Sequence, residues 1–459
     1  MAFVNRHDEL ATLETWWRRP GASMGQVWGR RRVGKTALVS EFAAGRRSVF
    51  HTARGVGLAE ELATLATKLP ADLGVDRRFA VVPFVSWEDV LSTLAAAARD
   101  EPLLLVLDEY PELAAGDPAI DTRLRASWEE ERAGTNLKVL LCGSAVRSME
   151  AMAEYRSPLH GRFDLRLLLH PFRPHEAALM LPDLAPADRA RAWSICDGTP
   201  LYLSWWDQSA GIQENIRRLC CEPGAPLRTE GEFILATDGV AGGLARQVLG
   251  AIAVGRNRHS EIVDAVRSDR HVSRVLHDLE RLRLVERVTP VTEEPGSRGG
   301  RTTYRIADNF LAFWLGPMSK FLGEIDRGMG ELVARTLTGR LDHHIGPRYE
   351  DAFRSQLRRM AIAGEFGAEV VRIGPFWTAG HGDVEIDAVV LAGTPAAAVA
   401  VGECKWADQV AASALLPTLA RRAQALPRQV EDLRYIICAR TEVTRAAGVT
   451  PLTAADLFA

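Results

Sequence analysis

Residues 29–36 read Gly-Arg-Arg-Arg-Val-Gly-Lys-Thr, a complete G-x-x-x-x-G-K-T loop, and no other stretch restricts the fold of this chain as strongly. A loop of this kind curls successive backbone N–H groups around phosphate oxygens. It needs glycine where the main chain comes close to the ligand, a lysine that reaches the β- and γ-phosphates, and a hydroxyl for a magnesium ion. Those demands assign Gly29, Arg32, Val33, Gly34, Lys35, Thr36 and Ala37 to a site for ATP and Mg²⁺. The flanks agree, because Gly25-Gln26-Val27-Trp28 reads as a short buried strand and residues 36–42 have helical periodicity. A chance glycine turn would leave both flanks unexplained.

A strand-and-helix phosphate loop requires a parallel sheet around it, and the chain supplies the strands. Ser48-Val49-Phe50-His51-Thr52 reads as one, followed by an amphipathic helix over 58–69. Residues 102–109 form an unbroken apolar run that ends in Asp108 and Glu109, the pattern of a strand buried on both faces with its ligand-binding end at the carboxylates. Asp108 is expected to hold Mg²⁺ through water and Glu109 to polarise the attacking water. Residues 137–144 form another buried strand, ending in Ser144, which the ATPase reading makes a sensor of the γ-phosphate. Arg147, Arg156 and Arg162 follow; one of them is a candidate arginine finger, and Gly161-Arg162 is the choice here. Ahead of the loop, Arg6 opens a helix over 8–17. That helix either lies beside the adenine or simply packs on the sheet.

These segments resemble, taken together, the archaeal-type ATPase family, which is similar to the signal-transduction ATPases with numerous domains (STAND) in the wider AAA-like class. The resemblance rests on Phe3-Val4-Asn5-Arg6, the Arg-rich phosphate loop, Leu107-Asp108-Glu109, Cys142-Gly143-Ser144, Leu159-His160-Gly161-Arg162 and His170-Pro171-Phe172. It extends to Asp197-Gly198-Thr199-Pro200, which looks like the Gly-x-Pro motif of those ATPases. Pro200 would offer a flat apolar face to adenine at the start of a lid helix, although a plain helix-initiating turn has the same sequence.

Beyond the lid, three helices are predicted over 244–253, 260–266 and 272–282, then a strand over 284–288, a Gly/Pro-rich tip at 294–301 and a return strand over 303–306. Three helices and a hairpin make a winged helix. Arg270, Arg274, Arg281, Arg283, Arg298 and Arg301 suit phosphate contacts, but Asp278 and Glu280 dilute the charge, so DNA contact and an intramolecular scaffold both remain open. Residues 304–314 match the signature that follows this domain in the family.

The last third carries a second constellation. Tyr349-Glu350-Asp351 is expected to open a helix, and residues 384–391 and 398–406 read as neighbouring strands. Glu403 and Lys405, two apart on a strand, point to one face, and Asp387 is a hairpin's reach away. This Asp, Glu-x-Lys pattern resembles the PD-(D/E)XK restriction-endonuclease-like fold. In that reading Glu350, Asp387 and Glu403 gather Mg²⁺, while Lys405 orients or deprotonates water and stabilises the phosphorane. Surface ion pairs, or a nuclease fold without catalysis, are the alternatives. His343-His344 is expected to be a solvated helix cap, and Arg421-Arg422 a solvated basic face.

The expected architecture is α/β and multidomain: a P-loop ATPase domain of ASCE type over 1–170, a helical lid over 171–228, a winged helix over 229–315, a helical linker over 316–345, and a restriction-endonuclease-like domain over 346–459. A chain of 459 residues, 47% of them hydrophobic, can bury about three cores. Its net charge of −3 excludes a globally basic nucleic-acid coat, so any DNA contact must be local. Six cysteines without C-x-x-C spacing read as free thiols, and the absence of a long uncharged apolar run predicts a cytoplasmic protein without membrane partners. The function expected is an ATP-binding and ATP-hydrolysing switch coupled to a Mg²⁺-dependent nuclease-like effector acting on DNA. A DNA-binding regulator without cleavage and an ATP-dependent homo-oligomeric signalling scaffold are the competing expectations.

Overall fold

Apolar residues that run without alternation can be satisfied only by cover on both faces of a sheet, and the first 170 residues form such a sheet. The computed structural model describes residues 3–69, 73, 84–237, 239–240, 242–267, 271–294, 301–367, 369–378 and 384–459. They divide into two units, Met1–His170 and Pro171–Ala459.

In the first unit the elements are α1 (His7–Trp17), β1 (Ser23–Trp28), α2 (Lys35–Ala43), β2 (Ser48–Thr52), α3 (Leu58–Ala66), α4 (Trp87–Ala97), β3 (Leu103–Asp108), α5 (Tyr110–Gly116), α6 (Ile120–Glu131), β4 (Leu137–Gly143), α7 (Val146–Ala151) and β5 (Phe163–Leu168). The five strands are parallel in the order β2-β3-β4-β1-β5. Every residue of β1, β3 and β4 is buried. Alternate side chains serve opposite faces: Leu105, Leu107, Val139 and Leu141 join the core under α3 and α4, whereas Leu104, Val106, Leu140 and Cys142 meet α1 and α2. Because β4 lies between β1 and β3, the phosphate-loop strand and the carboxylate strand are not neighbours. The helix expected over 58–69 stops at Ala66.

The second unit begins with short helices: α8 (Pro174–Ala178), α9 (Pro186–Cys196), α10 (Pro200–Ser204), α11 (Ile212–Ile216), a π-turn over Arg217–Cys221, and α12 (Glu230–Thr237). Then come α13 (Gly243–Ala253), α14 (His259–Val266), α15 (Val272–Arg281) and the antiparallel hairpin β6 (Val285–Val288) with β7 (Thr303–Ile306). This is the three-helix-and-hairpin order expected from the sequence. Arg274, Arg281 and Arg283 are exposed, while Arg270 and Arg298 lie outside the described residues.

Helices α16 (Asn309–Phe313), α17 (Leu322–Asp326), α18 (Gly330–Gly339) and α19 (Leu341–Ile362) lead into β8 (Val370–Trp377), β9 (Glu385–Ala392), β10 (Ala397–Cys404), β11 (Gln409–Ala411), α20 (Ala412–Ala423), β12 (Gln429–Ala439), β13 (Glu442–Thr444), β14 (Val449–Thr453) and α21 (Ala454–Leu457). The main sheet is mixed, in the order β14-β12-β10-β9-β8. Strands β8, β9 and β10 form an antiparallel meander, and β12 runs parallel to β10.

Two expectations are corrected here. The helix expected to open at Tyr349 opens at Leu341 and runs through Pro347, which lies early enough in it to leave most of its hydrogen-bond ladder intact. His344 is not a solvated cap: it is 8% exposed, its Nε2 lies 2.8 Å from the Ser194 carbonyl, and burial pushes its pKa well below the ordinary value. His343 is exposed, as expected. All six cysteines are free and buried. Among the described residues no helix is long and apolar enough to cross a membrane.

Candidate functional site

The loop between β1 and α2 is shaped by its glycines. A Cβ on Gly29 would stand 2.3 Å from the Leu169 carbonyl oxygen, so no side chain is admitted there. Gly34, at φ +92°, makes the left-handed turn into α2. Arg32 takes the same left-handed region, at φ 68°, despite its side chain. Strain of this sort, of order 1–3 kcal/mol, is characteristic of ligand-gripping loops.

Lys35 is 5% exposed, and its Nζ donates to the Arg30 carbonyl at 2.9 Å, bridging the loop from inside. Burial lowers its pKa, and Cys142, Glu109 and Asp108 counter that only in part. The ammonium is therefore short of negative charge, which a phosphate would supply. Thr36 Oγ1 donates to Asp108 Oδ2 at 3.0 Å, joining the end of the loop to the end of β3. The other oxygen, Asp108 Oδ1, is buried with no nitrogen or oxygen partner, beside the Cys142 thiol. A hydroxyl and an orphaned carboxylate oxygen at one spot fit a hydrated Mg²⁺. Glu109 adopts φ 51°, and its Oε2 accepts from Ser144 Oγ at 2.9 Å. Ser144 thus reaches the proposed base across the β3–β4 boundary.

Arg6 is 3% exposed, and its Nη2 donates to the carbonyls of Val33, 2.9 Å, and His170, 2.8 Å, while Nη1 pairs with Glu9 at 2.8 Å. Its guanidinium holds the main chain of the phosphate loop, a positioning duty that the sequence did not reveal. Arg162 pairs with Glu129 at 2.5 Å. Pro200 belongs to the second unit, at the first position of α10, after a tight turn in which a Cβ on Gly198 would collide with the Phe172 main chain.

The sequence constellation of the last third also converges. Asp387 on β9 accepts from the Cys404 N–H at 2.8 Å, and Lys405 Nζ lies 2.8 Å from Glu403 and 3.6 Å from Asp387. Glu350 approaches from α19, where Arg354 Nη1 is 3.7 Å from its carboxylate and donates to the Asp387 carbonyl at 2.7 Å. Two residues of this cluster were misjudged or missed in the sequence. Arg422, expected in solvent, reaches both oxygens of Glu403 from α20, at 3.1 and 3.0 Å. Arg354 ties α19 to β9. A helical arginine carries no local signal that it will meet a strand carboxylate; only the packing of α19 and α20 on the sheet decides it.

Among the described residues no three His, Cys, Asp or Glu side chains are gathered closely enough to hold a metal ion. Glu403 is occupied by Lys405 and Arg422 instead. Lys405 and Arg354 offset the burial of the other two carboxylates only in part: Asp387 is pushed up by burial and by Glu403, and Glu350 is pushed up from 4.5 to about 8 by burial and then by Asp387. Oxygen donors whose protons are held this tightly suit a hard divalent cation, which would take the place of the proton.

The Glu350 shift also makes a stability prediction. Its folded pKa is above its unfolded one, so as pH rises from 4.5 to about 8 the unfolded chain releases the proton first and the fold loses stability across that window. Glu350→Gln removes the loss. It should melt with wild type at the acid end and above it at the alkaline end, by about 2–4 °C for each kcal/mol recovered. Parallel melting curves across the window would sink the assignment.

Sheet order, phosphate loop and carboxylate strand define a Walker-type P-loop ATPase domain. Residues 3–205 match the family described as an ATPase domain predominantly from Archaea, and residues 314–415 match a family described as archaeal and bacterial proteins of unknown function. The chain thus joins an archaeal-type ATPase domain to a C-terminal domain of unknown function. An uncharacterized protein of Methanocaldococcus jannaschii is 25% identical over 415 residues, 88% of either chain. An ATP-binding protein of the same organism is 44% identical over 45 residues, which are 10% of this chain and 76% of that one. A Walker-type ATPase of Pyrococcus abyssi shares the fold over 68% of this chain and 96% of its own, with a TM-score of 0.53 and 21% identity.

Proposed function

We propose that this protein is an ATP-driven switch whose C-terminal domain is a Mg²⁺-dependent nuclease-like effector acting on DNA. The observation that carries the effector half is the order α19-β8-β9-β10-β11-α20-β12, with an antiparallel meander, a parallel fourth strand, and Asp387 on β9 beside Glu403 on β10 and Lys405 just past the end of β10. That order and cluster are those of the PD-(D/E)XK resemblance. On the ATPase side, a strand between the phosphate-loop strand and the carboxylate strand supports the ASCE assignment. Helices α8 to α12 are read as the lid and α13 to β7 as the winged helix.

In the ATPase site, the amides of residues 32–37 and Lys35 bind the phosphates, Thr36 and Asp108 would hold a magnesium ion, and Glu109 orients and deprotonates water. Ser144 keeps Glu109 aimed until a γ-phosphate offers the hydroxyl another partner. Arg162 is retained as the arginine finger, which requires release from Glu129. In the effector site, Glu350, Asp387 and Glu403 would hold the metal once they draw together and Arg422 releases Glu403, while Lys405, kept as an ammonium by Asp387 and Glu403 against the lowering by burial, would orient water and stabilise the phosphorane. Mg²⁺ at either site would supply charge neutralisation on phosphate oxygens. Nucleotide state then sets access to the effector site through the lid and winged helix.

A second reading, a DNA-binding regulator that does not cut, is favoured by one contact: Arg422 and Lys405 together neutralise Glu403 and hold it from a metal. The deciding experiment incubates single-stranded, duplex and branched DNA with the protein and Mg²⁺ or Mn²⁺, with and without ATP, beside Lys405→Ala. Metal-dependent cutting by wild type alone is the expected result. Retention of DNA without cutting under every condition would overturn the nuclease half and promote the regulator.

A further inference from the structure

Three adjoining cavities border the β6–β7 hairpin: two of about 320 and 340 Å³ between it and the α19–β8 face, and one of about 660 Å³ between α13, β7 and the first turns of α19. Arg305 lines all three; Arg354 links the first to the second, and Glu350 the second to the third. Sharing these walls, they make up a groove that meets the candidate effector site at Glu350. Its walls hold fixed positions, because the chain just after β6 docks on the sheet: Val291 N donates to the Pro375 carbonyl at 2.8 Å, and the Val291 side chain enters the core beside Phe376.

The charge of this groove is unbalanced. Of its carboxylates, Asp351 is engaged by Arg305 and Arg354, Glu286 by Arg305, Glu293 by Arg301 and Glu350 by Arg354, Asp342 accepts from Trp406, and Glu385 stands at the β9 end of the wall. Arg358 and Arg372, in contrast, donate to main-chain carbonyls, those of Ile373 and Glu293. Guanidinium groups spent on neutral carbonyls keep donors and full charge for an incoming anion. Burial lowers the pKa of Arg358, the neighbouring Arg354 lowers it further, and Asp351 and Glu286 oppose the shift.

We propose that this groove binds the phosphodiester backbone of a nucleic-acid strand, with Arg358 and Arg372 as phosphate contacts, and leads it past Glu350. The inference rests on the reading that the effector acts on DNA. It differs from a winged helix reading DNA through α15, since the groove lies between the hairpin and α19. An elongated, guanidinium-lined groove suits a repeating anion, in which successive phosphates meet successive arginines.

The test is fluorescence anisotropy of a labelled single-stranded DNA oligonucleotide with the full chain in EDTA, so that no cutting occurs, over a range of salt. Arg358→Ala with Arg372→Ala should weaken binding roughly tenfold or more at low salt and shrink the log–log salt slope by about 0.7 for each lost contact. Arg358→Lys with Arg372→Lys should keep the slope, and the thermal midpoint of both pairs should match wild type. A wild-type slope in the alanine pair overturns the groove, as does displacement of the strand by ATP as readily as by unlabelled DNA, which would make the ligand a mononucleotide. If the alanine pair loses its slope but wild type never cuts DNA, the groove stands and the nuclease reading falls.

Discussion

Lys35→Ala will bind ATP on the order of 10²–10⁴ times more weakly than wild type, since each charge-assisted hydrogen bond to phosphate is worth roughly 1.5–3 kcal/mol and two are lost. Isothermal titration with ATP and Mg²⁺ measures it. The same substitution should leave the nucleotide-free protein as stable as wild type, or slightly more so. Lys35 is buried, its pKa is lowered, and its ammonium is bound to a carbonyl, so in the empty loop it is a cost. The signature is thus a melting temperature that ignores added ATP, with an unchanged starting value. Retained tight binding, or a collapse of the empty protein, would contradict the placement of Lys35 at the heart of the loop.

If the C-terminal domain cuts DNA as proposed, Asp387→Asn will lower cleavage by at least about 10²-fold while the domain stays folded. The amide keeps an oxygen for the Cys404 N–H, which Asp387 accepts at 2.8 Å, and removes only the charge. Because Asp387 also helps to push up Glu350, the substitution should draw the Glu350 carboxyl back toward its ordinary value. ATP binding should be untouched. Cleavage at the wild-type rate, measured with Mg²⁺ in excess, would remove Asp387 from the effector site.

What could be read before folding was whatever depends on neighbours in sequence. The phosphate loop, the all-buried strands β3 and β4, and the hairpin after α15 are written in consecutive residues, and their bounds fell within a few positions of expectation. The approach of Asp387 to Glu403 was also legible from neighbouring strands, whereas Lys405, expected on the same strand as Glu403, lies one residue past the end of β10 and reaches Glu403 from there. Contacts made across layers were not. Arg422 and Arg354 reach carboxylates from helices whose packing angle no local pattern records. His344 was misread for the same reason, since what buries it is α9, which lies far upstream. Arg6 was placed in the right neighbourhood, but its partners are carbonyl oxygens, which every residue carries and no motif can mark.

That arginine has a mechanical consequence. One nitrogen, Nη2, grips the Val33 carbonyl inside the phosphate loop and the carbonyl of His170, the residue at which the first unit ends. Loop and exit are therefore riveted to a common point, and neither can shift without straining a buried charged hydrogen bond. Tension on the polypeptide where it leaves the ATPase domain is delivered to the phosphate grip, and a change in that grip tugs on the departing chain. The main chain runs alongside it, for Leu169 N donates to the Trp28 carbonyl at 2.7 Å just ahead of the loop.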